Sequence, residues 1–330
     1  MGHKLSISDS ESLINELKKE YKIYGPKKVI KYNDFFEEEV IAYDEINSIS
    51  EIIYEEKSEY SIKDIISTIT KTIYYEDGNF KISNLDDEKD ILIFARACDI
   101  NAQLRQDNIY VKSEKDEFYK NLRKKVKFIC IECNRSFENC FCVSVESNKT
   151  DNYSLAVKFN GNELLFYVAD KEFLKYFESF EKEEYKIQFI KKNNIEVPAL
   201  NIKSEEEFER LSKLKLWESF NEKCIECGKC NLVCSISSRF ATIELKKCET
   251  SSEQIHVFCA TEGFDAMIGG YNFMKSQSEK MKNKVFYKFY MYKNKFNTPL
   301  CVGCGRCIDQ CPEGISLINI VKELSEEIEK

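Results

Sequence analysis

A chain of 330 residues has room for one large domain or two to three smaller ones, each with its own buried core. Hydrophobic residues make up 43% and charged residues 32%, a globular balance, and a formal net charge of −8 argues against general affinity for nucleic acid or acidic membranes. Fifteen cysteines beside an opening, MGHKLSISDSES, that lacks a signal-peptide apolar region argue against a disulfide framework and for metal or redox chemistry in a reducing cytoplasm. No apolar run approaches the roughly 18 residues of a membrane-spanning helix.

In chain order, Ser8 and Glu11 form an S-x-x-E capping box ahead of Leu13, Ile14, Leu17 and Tyr21, which share one helical face; Gly25-Pro26 is expected to end that helix. Residues 34–60 are acidic and weakly patterned, as in surface loops and short strands. Residues 61–74 read as helical. Glu76-Asp77-Gly78 between two β-prone runs predicts a hairpin over 73–82. Ile91–Phe94 is a short apolar strand, followed at once by Arg96-Ala97-Cys98-Asp99 and a helix from Ile100. A basic helix spans Phe118–Lys125, and Val126–Ile131 is a second apolar strand. Strand, helix, strand in this order predicts a parallel pair, whose carboxyl ends open onto one crevice. Cys98 and Cys133 follow those two ends, with Cys140 and Cys142 shortly after. Four cysteines can therefore converge on a third metal or cluster site. Zinc and iron–sulfur chemistry are both open to it, and Cys130, inside the strand, competes with Cys133. The bland alternative is that these are small buried hydrophobes.

Asn160-Gly161 between alternating runs predicts a type I′ hairpin over 153–168, and Lys171–Phe180 an amphipathic helix. Val197-Pro198 reads as an extended or turn dipeptide. Ser204 and Glu207 form a second capping box, opening a helix through Phe208, Leu211, Leu214 and Trp217. That helix leads to CIECGKCNLVC, with Cys224, Cys227, Cys230 and Cys234. A second run, CVGCGRCIDQCP, holds Cys301, Cys304, Cys307 and Cys311. Both have C-x2-C-x2-C-x3-C spacing, that of bacterial ferredoxins with 4Fe–4S clusters. Three closely spaced thiolates wrap one corner of a cube, and the fourth cysteine points away to the other cluster. The expected ligand sets are thus Cys224, Cys227, Cys230 and Cys311 for one cluster, and Cys301, Cys304, Cys307 and Cys234 for the other. Gly228, Gly303 and Gly305 suit such tight loops. Two four-cysteine zinc sites are the structural alternative.

The insert over 235–300 carries apolar and aromatic helical stretches, so a helical ferredoxin-like two-cluster domain is expected over 201–330, after a mixed α/β domain over 1–200. The whole falls in the α+β class. Cys248 and Cys259 read as ordinary thiols, and neither His3 nor His256 has an assigned role. Lys275–Phe296 holds seven lysines and one glutamate among aromatics. This is expected to be a solvated helix face, a docking patch for an acidic redox partner being the alternative. After Pro312, Ile315–Leu324 predicts an amphipathic capping helix. No dinucleotide fingerprint, P-loop or nucleophile motif is present, so no substrate site is expected and electron transfer is the chemistry that remains.

The RACD segment at 96–99, CNRSFENCFC at 133–142 and the paired ferredoxin runs resemble the iron–sulfur electron-transfer subunit of anaerobic sulfite reductase, and the related β subunits of cytosolic NiFe sulfhydrogenases. The resemblance covers about residues 60–320. It implies two 4Fe–4S clusters on the eight C-terminal cysteines and a third position at Cys98, Cys133, Cys140 and Cys142. It further implies an oxidoreductase complex in which a flavin subunit oxidises NADH, a sirohaem subunit reduces sulfite to sulfide, and this chain relays electrons between them. The alternatives are the electron-transfer subunit of a NiFe sulfhydrogenase and a zinc-stabilised interaction protein without redox function. The chain departs from the pattern at Cys130, an extra thiol, and at Ser235, where a proline often follows the fourth cysteine.

Overall fold

The computed structural model describes residues 1–32, 37–66, 70–76, 79–82, 89–112, 117–237, 240–248, 251–258, 265 and 272–330. The first elements in chain order are β1 (Gly2–Ser6), α1 (Ile7–Glu20), β2 (Tyr21–Tyr32), β3 (Glu37–Glu45), α2 (Lys63–Ile66), β4 (Thr70–Glu76), β5 (Asn79–Ile82), β6 (Asp90–Arg96), α3 (Ala97–Tyr110) and α4 (Glu117–Lys124). Then come β7 (Val126–Ile131), β8 (Leu155–Asn160), β9 (Glu163–Val168), β10 (Glu181–Lys182), α5 (Glu205–Ser212), α6 (Phe220–Lys223) and α7 (Lys229–Leu232). The last are β11 (Phe240–Cys248), β12 (Ser251–Phe258), α8 (Gln277–Phe286), α9 (Tyr292–Phe296), α10 (Arg306–Asp309) and α11 (Leu317–Glu329). They pack as two units, one of Met1–Ser67, Glu88–Asn194 and Val302–Cys304, the other of Thr68–Asp87, Ile195–Cys301 and Gly305–Lys330. Residues 68–87 thus belong with the C-terminal unit and 302–304 with the N-terminal one, so the boundary expected near residue 200 is not a single cut.

The first unit is built on an eight-stranded sheet of order β10-β1-β9-β8-β7-β6-β2-β3. β2, β6, β7 and β8 run parallel, and the outer pairings are antiparallel. The β6–β7 pair is parallel as its spacing predicts, with Ala95 opposite Cys130 and Arg96 opposite Ile131. Alternation along these strands serves two cores. Leu92, Phe94, Ile129 and Ile131 join Leu13, Ile14 and Leu17 of α1 on one face. Ile93, Ala95, Phe128 and Cys130 join Ile66, Ile100 and Tyr119 on the other. A sheet buried on both faces explains why these strands read as continuous apolar runs. Each large side chain so buried contributes roughly 1.5–3 kcal/mol.

Several local expectations shift. The first helix is capped by Ser6 and Asp9: Ser6 Oγ accepts the Asp9 N–H at 3.1 Å, and the Asp9 carboxylate accepts the Ser6 N–H at 3.3 Å. Glu11 instead accepts from the Ser48 hydroxyl and the Ile49 N–H, tying α1 to a later loop. The helix stops at Glu20, and Gly25-Pro26 lies inside β2, just past Tyr24, where parallel pairing with β6 ends. Proline has no N–H to continue a ladder. Of the described residues within 61–74 only Lys63–Ile66 is helical; the chain is extended from Thr70, in a β-branched stretch. Lys171–Tyr176 forms a short 3-10 helix. The hairpin joining β8 and β9 turns through Gly161 and Asn162, and of those two only Gly161 has positive φ (62°), the type II′ pattern rather than I′.

The second unit contains a four-stranded antiparallel sheet of order β11-β12-β4-β5. β4 and β5 are the expected hairpin strands, Glu76 pairing with Asn79; the turn residues 77–78 lie outside the described residues, as does Cys259. The insert is therefore not wholly helical. Phe240–Cys248 and Ser251–Phe258 form two paired strands, and among the described residues after them the first helix begins at Gln277. Upstream, Ser204 caps α5 by accepting the Glu207 N–H at 3.1 Å, but Glu207 reaches back to the Lys203 N–H rather than to Ser204, and α5 ends at Ser212. Among the described residues no helix is long and apolar enough to cross a membrane.

Candidate metal centre

The two cysteine loops repeat each other residue by residue. In the first, Glu226 and Gly228 have φ of 59° and 70°; in the second, the equivalent Gly303 and Gly305 have 62° and 76°. Left-handed backbone at both positions winds each loop tightly between its first three cysteines. Glycine signals it three times, but Glu226 occupies the same conformation without any such signal. Each loop leads into a one-turn helix, α7 or α10, and these two helices pack together. Cys234 and Cys311 each lie two residues beyond their helix.

In the second unit Cys224, Cys227, Cys230 and Cys311 line one cavity, partly open to solvent, which Cys307 also lines. The walls are otherwise mainly apolar, with Ile225, Met281, Ile315 and Leu317, and include one cation, Lys284. Burial raises the Cys224 thiol pKa, while the backbone N–H of Glu226 bonds its sulfur and opposes that rise. The Ile315 N–H donates to Cys311 Sγ at 3.3 Å. Cysteines lining a mainly apolar cavity, two of them with an N–H donor on the sulfur, suit a 4Fe–4S cube, whose four irons alternate with sulfides and each take one thiolate. Burial also raises the Cys307 thiol.

Three buried cations accompany these cysteines, and sequence reasoning missed all three. Lys284 Nζ donates to Cys230 Sγ at 2.7 Å, and Lys288 Nζ to Cys234 Sγ at 3.1 Å. Each lysine is only 4% exposed, so this part of Lys275–Phe296 is not a solvated face. Burial opposes the charge on Lys288, but the nearby Cys234, Cys301 and Cys307 thiols outweigh it and hold the pKa above lysine's usual range. Arg306, 1% exposed, donates from Nη1 to Ser235 Oγ at 3.0 Å, which gives the serine in place of proline a definite partner. A signal for the lysines was present: Met281, Lys284, Val285, Lys288, Phe289 and Tyr292 fall on one 3.6-residue stripe, and all six are buried.

In the first unit Cys98 is the second residue of α3, which follows β6 directly, and Cys133 lies two residues past the end of β7. The buried Arg96 guanidinium donates to Cys133 Sγ at 3.4 Å and to the Tyr54 and Glu56 carbonyls at 2.8 Å each. Burial raises the Cys142 thiol; Asn193 Nδ2, donating to its sulfur at 3.5 Å, opposes this, and nearby Cys133 adds to it. Burial pushes the Cys140 thiol up to about 12, and its S–H donates to the Cys304 carbonyl at 3.6 Å. The Phe141 N–H donates to the Gly303 carbonyl at 2.8 Å, and a Cβ on Gly303 would lie 2.6 Å from the Phe141 carbonyl carbon. Cys130 is fully buried in the core among Ala95, Phe128 and Ala156.

Residues 223–315 match the 4Fe–4S dicluster domain family. The C-terminal part of the chain therefore binds 4Fe–4S clusters. Over 340 aligned positions the chain is 25% identical to sulfhydrogenase 2 subunit β of Pyrococcus furiosus, covering 94% of this chain and 95% of the relative. No solved structure matches. The relationship suggested by the cysteine motifs holds: the chain is an iron–sulfur protein related to a sulfhydrogenase β subunit.

Proposed function

We propose that this chain is the electron-transfer subunit of a multi-subunit oxidoreductase, passing single electrons between a reducing partner and a partner that turns over substrate. The observation that carries this is the pair of matching cysteine loops, with Cys311 lining the same cavity as Cys224, Cys227 and Cys230. The proposed ligand sets are Cys224, Cys227, Cys230 and Cys311 for one cluster, and Cys301, Cys304, Cys307 and Cys234 for the other. The clusters supply one-electron steps. The chain's own residues fix the thiolates in left-handed loops, wall one side with apolar groups and place N–H donors on the sulfurs.

Cys98, Cys133, Cys140 and Cys142 are proposed as a third site. Two of these sulfurs accept side-chain donors, Cys133 from Arg96 and Cys142 from Asn193, which supports this, as does the burial of Cys130 in the core, which favours Cys133 as the ligand. Two complexes fit the relay. A cytosolic NiFe sulfhydrogenase is supported by the relative's match along nearly the whole chain. An anaerobic sulfite reductase, with a flavin subunit oxidising NADH and a sirohaem subunit reducing sulfite, is supported by the motif resemblance at 96–99 and 133–142. Affinity purification of the tagged chain from its anaerobically grown host tests the proposal. A bound partner should carry nickel and confer hydrogen uptake, or carry sirohaem and confer NADH-dependent sulfite reduction. A chain recovered alone that accepts no electrons from any partner fraction would overturn the relay.

A further inference from the structure

Lys284 and Lys288 are four residues apart on one buried row, yet they meet sulfurs from the two proposed ligand sets, Cys230 and Cys234. The backbone holds them there. α8 gives way to a π turn over Tyr287–Met291, in which the Tyr292 N–H reaches back to the Tyr287 carbonyl. The Lys288 carbonyl accepts the Leu300 N–H at 2.7 Å, tying the turn to the segment that precedes Cys301. π turns are costly and concentrate at functional sites. Burying an ammonium is costly too unless something of opposite charge faces it.

We infer that these two lysines set the reduction potentials of the two cluster sites, Lys284 acting on the site that contains Cys230 and Lys288 on the site that contains Cys234. This rests on the crossed ligand reading proposed above. Reduction adds one electron to a site, from a low-potential donor such as dithionite, and neither makes nor breaks a bond. A cube held by four thiolates is a net dianion when oxidised and a trianion when reduced. A fixed cation at the sulfur therefore favours the reduced form and raises the potential. Because both ammonium groups are buried, salt screens them little. A lysine with only a packing role would instead be replaceable by any side chain of its length.

The test uses the full chain purified anaerobically with its clusters, as wild type and as Lys284→Gln, Lys288→Gln, Lys284→Arg and Lys288→Arg. Each is titrated with dithionite, followed by paramagnetic resonance, with iron determined in parallel. Each glutamine variant should lower the potential of one signal, a different one in each, by about 59 mV or more, a tenfold change in the reduced-to-oxidised ratio for one electron. The arginine variants should stay near wild type, and the shifts should persist in high salt. If both glutamine variants shift the same signal, the lysines tune potential but the crossed assignment falls. Unchanged potentials at full iron content overturn the inference. So does an arginine variant that falls as far as its glutamine counterpart. If one glutamine variant loses its iron, the other decides by the same criterion.

Discussion

Replacing Cys311 with alanine should remove about four of the roughly eight irons held by the eight C-terminal cysteines. It should also abolish the paramagnetic signal of the site formed by Cys224, Cys227 and Cys230, not that of its own run. The reason is geometric. α10 ends two residues before Cys311 and packs against α7, and Cys311 lines the cavity of the first loop. Resonance on the variant, with iron counted per chain, checks this. Loss of the signal that belongs to Cys301, Cys304 and Cys307 would show the ligands to be uncrossed.

Trp217→Ala should destabilise the second unit by about 3–5 kcal/mol, the usual cost of emptying a large aromatic site. Trp217 is 2% exposed, its ring lies 5.5 Å from that of Phe286 and 6.2 Å from that of Phe220, and its indole N–H donates to the Leu211 carbonyl at 2.8 Å. Phe286 lies between Lys284 and Lys288, and Phe220 opens the helix that delivers Cys224. The cavity left by the indole would therefore loosen supports on both sides of the first cluster loop. Heating the variant while following visible cluster absorbance should show bleaching several degrees below wild type. An unchanged bleaching temperature would mean that the Trp217 packing does not support the loop.

The spacing of the eight C-terminal cysteines was legible because a ligand pattern imposed by a cube survives in sequence as fixed intervals. The parallel β6–β7 pair was legible for a similar reason, since two apolar runs flanking a helix leave few topologies. Other features were hidden by competition between local and distant partners. Ser8 and Glu11 satisfy the capping pattern, but Ser6 and Asp9 take the cap while Glu11 is drawn to Ser48 and Ile49, far along the chain. β4 and β12 pair across a long sequence separation, Tyr74 opposite Ser251, which no local pattern reveals. In sequence Lys284 and Lys288 look solvated because lysine usually is; their places on a buried stripe make sense only once Cys230 and Cys234 face them.

The measurement that bears most directly on the relay is the iron, acid-labile sulfide and zinc content of the anaerobically purified chain. Two filled cluster sites predict about eight irons and eight sulfides per chain, and a filled third site at Cys98, Cys133, Cys140 and Cys142 raises both to about twelve, with zinc near zero. Stoichiometric zinc without sulfide would contradict the iron–sulfur relay outright.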